Sequence, residues 1–425
     1  MAQIAPFCGI RPDPSRFATG DLSDVIAPPY DVLSEADRDG LLVRHERNIV
    51  AVDLPHMPPG FAGPPEAYAR AAETMQAWLA DGTLIRDDSP VLYVYHQQFT
   101  HEGRPITRRM FFARLRLEPF GAGTVFPHER TFGGPKEDRL MLTRATRCNV
   151  SPIFGMYPDP DNEVSALLDV ADREAICHGC IDDVENRMWV VDDAETIDHV
   201  VRAMADRAIF IADGHHRYGT ALMYRDEVVG QAGSLSDVHP VNFVLVVLCA
   251  MEDDGLLILP THRLLTGLDA DRAIASLEAA DDVQINPIGT DVVGSIEPGA
   301  FRIYDGAADR AWDLKTDGAR VLAGLAPEQS EAWRRLDVAV VHRYLIDEVL
   351  RRAAAPGQEP EVRYVKDAAA GRRKAREKSG LLIEMAPTSL TDMKLVCQAG
   401  ELMPQKSTYF YPKLATGLLI NPLTD

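Results

Sequence analysis

The sequence predicts a mixed α/β (α+β) protein, and three kinds of segment predict it. Short β-branched runs such as 208–212 and 242–251 read as buried strands. Apolar residues at helical spacing, as over 66–80, read as amphipathic helices. Glycine and proline turns separate the two, and at 208–224 a strand, a glycine break and a helix start follow directly on one another. A chain of 425 residues has core-forming material for two or three domains. The expected division is an N-terminal α+β region over 1–119, a central core over 120–270 and a C-terminal α/β region over 271–425.

Composition narrows the function classes. A hydrophobic fraction of 46% with 25% charged residues is ordinary for a soluble globular protein. The net charge of -20 opposes a general nucleic-acid or anionic-membrane surface, so neither partner is expected, although a local basic pocket remains compatible. The run 244–251 is too short to span a bilayer, and the N-terminus has no basic-then-apolar signal pattern, so a cytoplasmic protein is expected. Of six cysteines only Cys177 and Cys180 are close, in Cys-His-Gly-Cys, and without a second pair they read as buried or incidental thiols.

Taken in order, 27–32 is held extended by two prolines. Ser34 before Glu35 and Asp37 reads as a helix N-cap with acids in the first turn. A proline-rich loop over 54–65 leads into the helix over 66–80, with Tyr68, Ala72, Met75 and Leu79 on one face. Segments 91–99 and 107–117 flank a turn at 101–104 and predict a hairpin whose arginines, Arg108, Arg114 and Arg116, face water. The acidic stretch 159–193 is expected at the periphery. Helices are expected over 194–206 and 332–352, a strand at 256–259 pairing with 242–251, a solvated basic segment at 366–378 and a helix ending near Gly400.

Two stretches carry chemistry. In the first, the run 208–212 ends at Asp213-Gly214 and a helix opens with His215, His216 and Arg217. The N–H groups at a helix start lack internal partners and favour anions, so this geometry collects phosphate. Gly214 lets the backbone approach closely, Arg217 adds a planar fork, and Asp213 is placed to hold a metal or a proton. The same residues also fit an ordinary strand–turn–helix joint with solvated side chains. In the second stretch, Glu129 follows His128 in a loop framed by Pro127 and Gly133-Gly134-Pro135, which suits a general base and equally a surface loop. His262 and Arg263 form a polar strand tip of the kind that contacts ligands. Gly400, Lys406 and Ser407 match the spacing of GxxxxGK(S/T), but Gln405 replaces its second glycine; Lys406, Ser407 and Lys413 remain candidates to touch phosphate.

The string 213–221, DGHHRYGTA, resembles the phosphate-binding box of the ParB/sulfiredoxin-like superfamily, of form GxxRxxA, with Gly214, Arg217 and Thr220 at its positions. Threonine stands where the pattern has alanine. Sulfiredoxins carry a reactive cysteine after the glycine; His215 stands there, which removes sulfinic reductase chemistry. ParB proteins bind a nucleoside triphosphate at this box and also carry a basic helix-turn-helix, for which there is no counterpart here. The box is most similar to the free-serine-kinase branch, which pairs DGHHR with an upstream loop glutamate, a position that Glu129 fills. The whole chain is similar to one large uncharacterised prokaryotic family of the DUF1015 type, in APPYDV at 27–32, HERT at 128–131, DGHHR, PTHR at 260–263 and KSTYFYPKL at 406–414.

These resemblances imply a ParB-like core and a phosphotransferase using ATP or ADP with Mg2+ on a small hydroxylated metabolite, serine-like. Gly214, Arg217, Tyr218 and Thr220 would bind phosphate or nucleotide, with His262, Arg263, Lys406 and Ser407 in support. Glu129 would accept the hydroxyl proton, Asp213 would hold magnesium, and His215 or His216 would orient the acceptor. Two other readings are a nucleotide-binding regulatory protein without phosphoryl transfer and a metal-dependent hydrolase built on Asp213, His215, His216 and His128.

Overall fold

The computed structural model describes residues 2–121, 123–131, 133–292, 294–354 and 359–424. It is mixed α/β, and its chain forms two compact units, Met1–Leu257 with Pro412–Asp425, and Ile258–Tyr411. The three-region division is replaced by these two, for reasons visible in the strand pairing.

The first unit is built on a nine-stranded sheet. At its centre is the expected hairpin, Leu92–His101 and Arg104–Arg116. Its turn places Glu102 and Gly103 at φ 50° and 76°, two consecutive left-handed residues that match the twist of the strands. The strand Phe243–Ala250 is buried along its whole length because it pairs on both sides, antiparallel with Arg104–Arg116 and parallel with Ile153–Tyr157. The hairpin and the strands after residue 120 are therefore one hydrogen-bonded sheet, and no domain boundary falls between them. Beyond Ile153–Tyr157 lie Ile209–Asp213 and then Val125–Phe126.

At the other end, the stretch expected to be peripheral supplies two more strands. Val184–Val191 pairs with Leu92–His101, and Cys177–Ile181 pairs with Val184–Val191. Cys177 is buried and Cys180 exposed, so the two thiols point away from one another across the strand.

One sheet face buries Val94, Phe111, Ile153 and Ile211 against Val200 and Met204 of the helix Ala194–Ala205. A second apolar cluster gathers Tyr30, Tyr68, Trp78, Leu142 and Ile420, joining the helices Pro65–Ala80 and Gly133–Thr146 to the C-terminal tail. Ser34 caps the helix Glu35–Arg44 through a reciprocal box with Asp37. The tail belongs here by hydrogen bonding: Ile420 exchanges backbone bonds with Ile10, Thr416 with Ala27, and Asn421–Pro422 pairs with Cys148–Asn149.

The expectation that all three hairpin arginines face water fails at Arg114 and at Arg108. Alternation puts Arg108, Arg114 and Arg116 on one sheet face, and that face is covered at two of them: Arg114 is half-buried and donates to Asn421 Oδ1 at 2.6 Å and to the Pro422 carbonyl at 2.9 Å, and Arg108 is fully buried. It donates to the Gln97 side chain and to the Pro412 carbonyl at 2.5 Å, and its guanidinium lies 5.0 Å from the Phe154 ring centroid. Gln97 in turn donates to the Lys413 carbonyl at 2.9 Å.

The second unit contains a six-stranded antiparallel sheet with the strand His262–Thr266 inside it. Residues 260–263 are thus the approach to and start of a strand rather than a tip. Leu257–Leu259 pairs with Tyr409–Tyr411 and not with Phe243–Ala250. The single helix expected over 332–352 is broken, because Leu336 adopts an extended ψ of 122° after Glu331–Arg334. The chain continues as Asp337–Ala339 and then a π-helical stretch Val340–Val349. In Ala368–Lys378 the basic face is not wholly solvated: Arg372 is buried and forms an ion pair with Glu384 at 2.5 Å. Among the described residues no helix is long and apolar enough to cross a membrane.

Replacing Arg108 by Met would leave the Gln97 amide oxygen and the Pro412 carbonyl without this donor in a dry interior. The expected cost is about 3 kcal/mol, read as a lower midpoint in urea denaturation, with the tail after residue 412 becoming the first site of protease cleavage.

Candidate functional site

The strand Ile209–Asp213 ends at a glycine that the geometry requires. Gly214 has φ 88°, and a Cβ there would lie 3.0 Å from Arg217 Nε and 3.1 Å from Ile153 Cα. The helix His215–Ala232 starts immediately after it, with Gly214 as N-cap and no side-chain capping bond. Its first N–H groups are therefore not consumed by a cap residue, as a phosphate-collecting joint requires.

Charge is concentrated at this joint. Asp213 Oδ1 accepts from its neighbour Gly214 N–H at 2.7 Å, and Oδ2 pairs with Lys413 Nζ at 2.7 Å. Arg217 Nη2 lies 3.9 Å from Oδ1, and its Nη1 donates to the Pro152 carbonyl. Burial pushes the Asp213 carboxyl up, but Lys413 and Arg217 together outweigh it and hold the group well below the usual carboxylate range. The site thus combines an ionised carboxylate with two cations.

The loop at 127–131 lies against the first turn of this helix. The His128 backbone N–H donates to His215 Nε2 at 3.2 Å, and the two rings meet edge-on with centroids 4.5 Å apart. His128 Nδ1–H donates to the Ile211 carbonyl at 2.6 Å. Both imidazoles are buried. Burial depresses the proton affinity of each, and for His215 the neighbouring His128 adds to the effect, so both are neutral near pH 7. His128 is the anchor of the loop, and the next residue, Glu129, is half-buried.

Behind Arg217 lies a buried charge network that sequence reasoning missed. Arg139 donates to the Asp53 carbonyl at 2.6 Å and to Asp138 at 2.9 Å, with its guanidinium 4.0 Å over the Tyr30 ring. Asp138 also accepts from Tyr68 OH at 2.7 Å and contacts His56 Nε2 at 2.9 Å. A cavity of about 30 Å³ is lined by Asp53, Arg139, Ser151, Arg217 and Thr220, joining the network to the box. The tyrosine of APPYDV is thus a lid on Arg139. The only local trace was adjacent Asp and Arg in an otherwise amphipathic helix.

The other candidates have these positions. His216 is half-buried in the first helical turn. Thr220 is buried and donates to the Lys136 carbonyl at 3.3 Å. Tyr218 is corrected to a core residue: it is fully buried, and its hydroxyl bonds the Glu118 backbone on both sides, donating at 2.9 Å and accepting at 3.0 Å. His262, Arg263, Lys406 and Ser407 belong to the second unit. There Arg263 is fully buried and donates to the Thr261 carbonyl and to the Lys406 carbonyl, the latter at 3.1 Å. His262 Nδ1 accepts from Met385 N–H at 3.2 Å, and the Ser407 hydroxyl donates to the Pro404 carbonyl. These groups satisfy the unit's own backbone, so the open polar tip expected there is not what forms.

Asp213 fits a resident metal poorly. Both of its oxygens are engaged, one by an ammonium, and a divalent ion would have to displace Lys413 while facing Arg217. Among the described residues no group of three or more His, Cys, Asp or Glu is placed to hold a metal. A site built from Asp213, His215, His216 and His128 would also have to break the bonds that His215 and His128 already make.

The family described as "Protein of unknown function (DUF1015)" matches residues 4–339. No curated protein matches the chain. Among solved structures, a mutant free serine kinase in complex with ADP is similar at 10% identity and a TM-score of 0.34, covering 69% of this chain and 89% of that one. SbnI with a C-terminal truncation, from Staphylococcus aureus, has 10% identity and a TM-score of 0.34, covering 71% and 84%. A conserved hypothetical protein from Pyrococcus furiosus has 13% identity and a TM-score of 0.31, covering 69% and 92%. At such similarity, function has to be argued from this chain's own site.

Gly214→Ala is expected to destabilise the first unit by about 1–2 kcal/mol, because an L-residue is strained at this φ; urea unfolding measures it. His215 is neutral when folded and gains a proton near pH 6.5 when unfolded, so its contribution to stability is present at pH 7.5 and lost as pH falls below about 6.5. Wild-type protein is therefore expected to lose up to about 1.4 kcal/mol more per pH unit than His215→Gln below that point, read from paired denaturation curves at pH 7.5 and 5.5.

Proposed function

We propose that this chain, which belongs to the DUF1015 family of proteins of unknown function, is a phosphotransferase that moves phosphate from ATP or ADP to the hydroxyl of a small serine-like metabolite. The observation that carries the reading is the docking of the 127–131 loop on the box: His128 N–H bonds His215 Nε2 across 87 positions of sequence. In support of this reading, Glu129 is the next residue along that loop, and the helix start it would serve is flanked by Arg217 and Lys413.

In this reading the nucleotide phosphates lie on the N–H groups after Gly214. Arg217 and Lys413 balance the negative charge on the transferred group, so that Asp213 serves to hold these two cations in position rather than to bind metal. Glu129 takes the proton from the acceptor hydroxyl. The acceptor oxygen forms the new P–O bond, the P–O bond to the nucleotide breaks, and the leaving phosphate keeps that electron pair. His216, on the same turn, orients the acceptor. Neutral His215 and His128 keep the loop in place without adding positive charge. Magnesium enters as part of the nucleotide substrate, held by its phosphates.

A second reading, a nucleotide-binding regulatory protein, draws support from the Lys413–Asp213 pair. Lys413 is on the C-terminal tail, and a phosphate competing for it would loosen the tail without any transfer.

Purified protein with magnesium, ATP or ADP, and serine or a panel of hydroxy acids, followed by phosphorus NMR, separates these. A new phosphoester signal is expected, reduced about 10³-fold in Arg217→Ala and about 10²–10⁴-fold in Glu129→Gln with nucleotide binding retained. Nucleotide binding with no product and no effect of Glu129→Gln would establish the regulatory reading. No nucleotide binding would make the box a structural turn and overturn both.

A further inference from the structure

A second cavity in the first unit plays no part in the proposed phosphoryl transfer. It is a cleft of about 890 Å³, in the size range of small-molecule sites. It reaches Tyr157 and Ala250, the ends of their strands, whereas Asp213 pairs with Phe154 near the start of the same strand. The three residues from Phe154 to Tyr157 amount to roughly 10 Å along that strand.

The floor of the cleft follows from strand register. Arg187 is opposite His96, and His96 is opposite Arg109, so three adjacent strands carry Arg, His and Arg in one row. The next row on this face is Trp189, Val94 and Phe111. The rings of His96 and Trp189 lie 4.7 Å apart. A row of two arginines and a histidine thus borders an apolar row with two aromatic rings, at the edge of the core that these rings belong to.

Neither guanidinium is fully engaged. Arg109 lies 3.8 Å from Asp253, and Arg187 contacts Glu185 through Nε at 3.4 Å, while the side chains remain 59% and 44% exposed. Of the acids around the cleft, Asp159 is bonded to the N–H groups of Glu163, Val164 and Ser165 and paired with Arg207. Glu252 accepts from Asp159 N–H, and Asp169 from Ala171 N–H. Asp253, which accepts from Gly255 N–H and faces Arg109, and Asp254 also line the cleft, so the charge of most of these acids is partly drawn into local bonds, while both arginines line the cleft as well. His96, held down to about 4 by burial and Arg109, is neutral and keeps one N–H to donate.

We propose that this cleft binds a small organic anion with a flat apolar body, its oxyanion on the Arg187–His96–Arg109 row and its body on Trp189 and Phe111. Two guanidiniums on either side of an imidazole suit a carboxylate or a phosphate group.

Isothermal titration with benzoate and with phenyl phosphate tests this and distinguishes the two oxyanions, with inorganic phosphate and benzamidine as comparisons. At least one aromatic anion is expected to bind with a submillimolar Kd, more tightly than inorganic phosphate, and benzamidine is not expected to bind. Arg109→Gln/Arg187→Gln, both exposed positions, is expected to weaken binding tenfold or more with an unchanged melting temperature. If the double variant misfolds, Arg187→Gln alone is expected to weaken binding at least threefold. Arg217→Ala is expected to bind the probes as wild type does, which separates this cleft from the box. No binding of either aromatic anion at millimolar concentration, equal binding of benzamidine, or unchanged affinity in the arginine variants would overturn the proposal.

Discussion

The ion pair between Lys413 and Asp213 holds the candidate site together. A carboxylate at the end of a buried strand is costly unless a cation meets it, and here the cation comes from the C-terminal tail, 200 positions away. For Lys413 to arrive, the tail must be fixed, and it is fixed by buried polar groups of the central hairpin: Arg108 on the Pro412 carbonyl and Gln97 on the Lys413 carbonyl. The electrostatics of the box therefore depend on the packing of the sheet beneath it. Arg217, a helical turn away, completes the balance with one negative charge between two positive ones.

The same economy governs the second buried cluster. Arg139 lies between Asp53 and Asp138 under the Tyr30 ring, and burial raises the Tyr30 hydroxyl pKa to about 12 against the opposing pull of Arg139. Such a group of ions is a poor source of stability compared with apolar packing, but it fixes geometry, because each member has few other partners. It borders the small cavity that Arg217 also lines, so the guanidinium of the box is placed against a rigid polar wall rather than a mobile loop. Histidine is used in the opposite sense. His128 and His215 are kept neutral by burial and serve as hydrogen-bond joints between a loop and a helix.

Local signals were strong where local physics decides. Ser34 and Asp37 form their capping box whatever surrounds them, and Glu102-Gly103 makes a tight hairpin turn because its backbone twist matches the strands. Gly214 is favoured because an L-residue is strained at φ 88° and a Cβ there would press on Ile153 and Arg217. Where pattern misled, tertiary context was the reason. Arg108 looked solvated because alternation does not say which sheet face is covered, and His262 and Arg263 looked like a polar tip because their pairing partners lie about a hundred residues later. Residues 332–352 kept their apolar periodicity while the backbone broke at Leu336.

By itself the sequence determined the mixed α/β class, the strand–glycine–helix joint with its charged residues, and membership in a family whose model matches residues 4–339. These are readable because dihedral preference, periodicity and motif spacing are properties of neighbouring residues. Only the tertiary structure decided that the chain makes two units, that the tail returns to the first, and that Lys413 meets Asp213 while His128 meets His215. Those contacts join residues 200 and 87 positions apart. Nothing in a local stretch encodes them, since they arise from which sheet face is covered and which buried charge still lacks a partner.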